Sequence, residues 1–97
     1  MAPASSDTSA DGLAALARLR NLGPASARML AAAGIFSVAA LQQLGAVAAF
    51  RRVRCVDPAA SLNLLWALEG ALTDRPWQAV ARTERLRLLL ALDDSAN

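Results

Sequence analysis

Apolar residues recur along this chain at the spacing of helices, with almost none of the alternation that marks a strand. Leu13, Leu16 and Leu19 share one face of a helix predicted over residues 12–20, with Asp11 as its cap. Ala27, Leu30 and Ala31 form the inner face of a second helix over 24–33, with Met29 at its margin. Pro24 opens that helix without losing a hydrogen bond. Gly34 closes it as a residue free to take positive φ, and Ile35 follows as the apolar contact that accompanies such a stop. Ser37 is a good N-cap for a third helix over 38–44, which Gly45 ends. A fourth, over 46–53, turns Val47, Phe50 and Val53 inward and Arg51, Arg52 and Arg54 outward.

The next segment is apolar nearly all round: Leu62, Leu64, Leu65, Trp66, Ala67, Leu68, Ala71 and Leu72. A helix of that kind lies at the centre of a core. Asp57 and Pro58 read as its cap and first residue, and Ser61 as an alternative, later start. Asn63, Ala67, Gly70 and Asp74 form its only small or polar stripe. Gly inside a helix costs about 1 kcal/mol relative to Ala, so Gly70 is expected to permit a close helix crossing. A turn over 73–75 leads to Pro76, which opens a short helix with Trp77 and Val80. Thr83 is the expected cap of a last helix over 84–92, with Leu86, Leu89 and Leu90 packing and Arg82, Arg85 and Arg87 largely outside. Residues 1–10 have no apolar period and are expected to be a disordered tail, with a short second tail at 95–97. One domain over 11–94 remains.

Composition agrees with this pattern. Hydrophobic residues make up 56% of the 97, mostly Ala and Leu, while Tyr is absent and Phe occurs twice. Strong helix formers thus dominate and strand formers are thin. The fold class is all-α, a compact bundle of about six to seven short helices. Between Leu13 and Leu92, ten arginines face only Asp57, Glu69, Asp74 and Glu84, leaving a body charge of about +6. That excess favours an anionic partner, or else it is a solvated surface in a chain without Lys.

Chemistry is sparse. Cys55 is the single cysteine and there is no His, so neither an internal disulfide nor a Cys/His metal site is expected. No cofactor is implied. No apolar run approaches the ~18–20 residues of a membrane span, and no secretory signal opens the chain. A cytoplasmic location is the expectation. The richest stretch is the turn Asn21-Leu22-Gly23 followed by Pro24. Such a hairpin presents free N–H groups at a helix N-terminus, a geometry suited to a phosphate.

Five stretches carry a resemblance to a known family: Asn21-Leu22-Gly23-Pro24, Met29-Leu30, Ala33-Gly34-Ile35, Leu44-Gly45-Ala46-Val47 and the run from Ser61 through Leu-Asn-Leu-Leu-Trp-Ala-Leu-Glu-Gly-Ala to Leu72. The match continues over Leu86 to Asp93. The chain resembles the C-terminal domain of the TfoX/Sxy family over about Leu16 to Asp94. The resemblance implies a helix-hairpin-helix-like all-α domain, as in DNA-processing proteins. It also implies a role in bacterial competence (DNA transformation) as a regulator of DNA-uptake genes. Full-length members usually carry a separate N-terminal α/β domain, and the sequence is expected to act as the C-terminal domain alone.

Two function classes follow. In the first, Gly23, Ala25 and Ser26 offer backbone N–H groups to a DNA phosphate, with Arg20 and Arg28 as neighbouring charges. Binding would be weak and independent of sequence. A typical DNA-binding hairpin has Gly where this chain has Asn21, which tolerates positive φ but adds a side chain beside the phosphate path. In the second, the hairpin only joins two helices and the domain binds another protein, such as a transcription regulator. Arg51, Arg52 and Arg54 form either a second basic patch or a solvated helix end. Arg75, Pro76 and Trp77 form either a protein interface or packing. Trp66 is expected in the core rather than stacked on a base. Glu69 is expected in an ion pair with an Arg, or as a cap to a neighbouring helix end, rather than as a catalytic acid, and Cys55 has no His or Lys to activate it. The reading is therefore non-enzymatic. Oligomeric state is not legible in the sequence.

Overall fold

The computed structural model describes residues 10–95. Expectations for residues 1–9 and 96–97 lie outside the described residues. Among the described residues six helices run in order: α1 (Ala10–Ala17), α2 (Pro24–Ala32), α3 (Val38–Val56), α4 (Leu62–Thr73), α5 (Trp77–Thr83) and α6 (Arg85–Ser95). No strand occurs among the described residues, and the fold is all-α. None of these helices is long and apolar enough to cross a membrane.

The stops and starts follow local chemistry. After α2, Gly34 takes φ 85° and the Ile35 N–H donates back to the Leu30 carbonyl at 2.8 Å. Ile35 is fully buried, which closes the motif with its apolar contact. Ser37 caps α3 by accepting the Ala40 N–H on Oγ at 3.1 Å. The helix α3 is two arms bent at Gly45, whose φ of 81° and ψ of 166° are not helical. The sequence break at that glycine is thus real, and the second arm runs on to Val56.

The core is one cluster. Leu16, Leu30, Leu41, Phe50, Leu65, Leu68, Val80 and Leu88 are all essentially inaccessible and come from all six helices. The α4 helix packs against α3 on one side and α5 on the other, while α1 pairs with α2. Trp66 is 3% exposed, as its central helix demands.

Four local expectations need correction. The first helix starts at Ala10 and ends at Ala17, so Asp11 lies in its first turn and does not cap it. The α4 helix takes the later start: Asp57 Oδ1 instead accepts the Ala59 N–H at 3.1 Å in a turn, and the helix begins after Ser61. Thr83 belongs to the end of α5, where its hydroxyl donates to the Ala79 carbonyl at 2.8 Å. Finally, Leu86 and Leu90 do not pack; they are 71% and 57% exposed. Leu88 is buried instead, with Leu89 and Leu92 half-buried against the core. This rotation also lets Arg87 reach Glu69 on α4 at 2.9 Å and Glu84 at 2.7 Å.

Candidate nucleic-acid interface

Asn21 adopts φ 72°, the left-handed conformation the turn requires. Its side chain points back into the molecule. Nδ2 donates to the Arg75 carbonyl at 2.8 Å and makes a longer contact, 3.5 Å, with the Ala67 carbonyl. Oδ1 accepts the Trp77 N–H at 3.1 Å, satisfying a donor that the first turn of α5 leaves open. One amide thus ties the hairpin to the end of α4 and the start of α5. Arg20 adds a second tie, with Nη1 3.5 Å from the Asp74 carboxylate and 3.3 Å from the Asp74 carbonyl.

Gly70 makes room for this docking. A Cβ there would collide with Asn21 Nδ2 and with the Arg75 carbonyl oxygen. The small stripe on α4 therefore receives the hairpin's side chain and the α4–α5 turn, and is not the helix crossing expected from the sequence.

The other side of the hairpin is open. Gly23 precedes α2 in extended conformation, φ −148° and ψ −171°, with no side-chain cap, and Pro24 follows at the first position. The N–H groups of Gly23, Ala25 and Ser26 donate to no group among the described residues. Ala25 is exposed and Ser26 half-buried. A Cβ at Gly23 would meet nothing within 4 Å, and its φ is one any residue adopts. Nothing in the fold therefore requires a glycine there. With its side chain turned inward, Asn21 leaves this approach clear.

The predicted site residues separate into free and engaged groups. Arg28 is exposed on α2 and makes no ion pair among the described residues. Arg20 is half-exposed and held by Asp74. Arg51 and Arg52 are exposed and unpaired among the described residues, but Arg54 lies over the Phe50 ring, 4.7 Å from its centroid, and donates Nε to the Ala60 carbonyl at 3.1 Å. Arg75 is turned to Glu84, 3.4 Å away, so it contributes to the fold rather than to an exposed anchor. Pro76 is exposed, and Trp77 is 36% exposed.

The fold brings two of these stretches together. Trp77, Asn21 and Ser26 line one open cleft of about 350 Å³ with Met29, Ser61 and Asn63. That Trp77 adjoins the hairpin, 56 residues away, was not legible from local pattern. Ser61 and Asn63 join the lining from the cap and first turn of α4; their only signal in the sequence is polarity at the start of an otherwise apolar helix. Glu69 is held by Arg87, as an ion pair. The Glu84 carboxyl lies below the ordinary carboxylate range, first because Arg87 donates a hydrogen bond to it and then through the charges of Arg87 and Arg75. This ion cluster joins α4, the α4–α5 turn and α6 on structural grounds.

No curated protein and no solved structure matches the chain. The family model of the TfoX C-terminal domain matches residues 13–92, which spans the hairpin, the central helix and most of α6. The chain belongs to the TfoX C-terminal domain family.

Proposed function

We propose that this domain is a non-enzymatic accessory in bacterial competence, acting on DNA through its phosphates. The observation that carries this reading is the row of unpartnered amides at Gly23, Ala25 and Ser26, held in place from behind by Asn21. A helix N-terminus with open donors attracts an anionic oxygen. Arg28 stands on the same helix without an ion pair among the described residues, and the body as a whole is basic. Contacts of this kind position a protein on DNA without reading its sequence. Family membership supports the competence context. A transcription regulator or another DNA-bound protein is the natural second partner, and the exposed part of Trp77 beside the same cleft favours that reading.

The test is a titration of a fluorescent duplex at several salt concentrations. Binding should be weak, equal for unrelated sequences and steeply lowered by salt, and Arg28→Ala should reduce the slope of log K against log salt by about 0.9. Absence of binding at low salt and high protein concentration would leave protein interaction as the domain's role.

A further inference from the structure

The outward face of α6 has no use in the fold or in the hairpin site. Leu86 and Leu90 stand 71% and 57% exposed, one helical turn apart. Asp93 and Asp94 continue the same face at its C-terminal end, both exposed and without an ion pair among the described residues. Arg82, in the last turn of α5 three residues before α6 begins, is exposed and has no ion pair among the described residues. This order runs against the helix dipole, which favours acids in the first turn and bases in the last, and α6 has neither. Arg85 and Arg87 have internal reasons for their places: Arg85 lies over the Trp66 ring at 5.8 Å, and Arg87 holds Glu69 and Glu84. Asp93 and Asp94 have none.

A second copy of the chain supplies what this face lacks. Laid antiparallel about a two-fold axis between Leu86 and Leu90, each leucine meets the other's counterpart. The acidic end of one helix then falls beside the basic end of its neighbour, and the two opposed dipoles align favourably. The face is self-complementary in the way a two-fold interface must be. We infer that α6 is a homodimerisation surface, pairing antiparallel through Leu86 and Leu90 with Asp93 and Asp94 facing Arg82 of the second copy. Two leucines a side make a small interface, so the dimer forms in a concentration-dependent way.

Sedimentation of the full chain from about 10 µM to about 1 mM spans weak association. The mass should rise from 10.1 kDa towards twice that value. Leu86→Asp with Leu90→Asp should hold it at the monomer value with an unchanged helical circular-dichroism spectrum, since both side chains lie outside the core. Asp94→Arg should weaken association at least several-fold, and adding Arg82→Asp should restore it. A monomer throughout the range overturns the inference and assigns the leucine face to a different partner. A dimer that survives the leucine substitutions overturns it as well, and one indifferent to the charge pair overturns the antiparallel arrangement.

Discussion

The amide of Asn21 occupies the space that a Cβ at Gly70 would need. The two residues are 49 positions apart, and together they decide how the hairpin sits on α4. In an isolated helix, Gly70→Ala would raise stability by about 1 kcal/mol. Here the new methyl group meets Asn21 and the Arg75 carbonyl, and a loss of about 1–3 kcal/mol is expected, as for other overpacked sites. Asn21→Gly keeps the positive φ but removes the docking hydrogen bonds, again at about 1–3 kcal/mol. In the double variant only the Arg75 carbonyl still opposes the methyl group. Urea denaturation of the four proteins should therefore show coupling above about 0.5 kcal/mol. Additive losses would mean that the two residues act independently.

Trp66 tests the central helix. It is 3% exposed and roofed by the Arg85 guanidinium. Trp66→Ala should lower stability by about 3–5 kcal/mol. A loss under about 1 kcal/mol in chemical denaturation is incompatible with this core.

Acid should weaken the fold partly through Glu84. Its folded pKa is depressed, so above the unfolded value of about 4.3 its contribution is complete. As pH falls below that value the unfolded chain takes up the proton first, and the contribution is lost by the time pH has passed through the folded pKa. Glu84→Gln should flatten the acid limb of a plot of Tm against pH. A limb of unchanged steepness would show that the Arg87 and Arg75 contacts do not hold in solution.

Gly23 separates architecture from binding. Extended backbone and open space mean that Gly23→Ala should leave stability unchanged or raise it by about 0.4–1 kcal/mol. On the proposed phosphate contact the added methyl group would obstruct the approach, so DNA affinity should fall while thermal stability does not. Equal DNA affinity in this variant would move the contact away from the turn.

Much of this was legible because local chemistry decided it. Gly34 with Ile35, Ser37, and the break at Gly45 each involve residues a few positions apart. The rotation of α6 was not legible, since Leu86, Leu88, Leu89, Leu90 and Leu92 surround that helix and its periodicity favours no single face. The face is chosen by packing of Leu88, Leu89 and Leu92 on the core from other helices, with the Arg87–Glu69 pair beside it. Gly70 was legible as an anomaly but not in purpose, because its partner lies on the hairpin. At the candidate site, the residue types at Gly23, Ala25, Ser26 and Arg28 were visible. Their union with Trp77 depends on the reach of Asn21.

The most direct test of the phosphate-binding hairpin is an amide chemical-shift titration of the labelled domain with a short duplex. The account predicts that the N–H signals of Gly23, Ala25 and Ser26 move first and furthest, with Arg28 beside them. It also predicts that these shifts vanish as salt is raised. Shifts centred elsewhere, or no shifts at low salt, would contradict it.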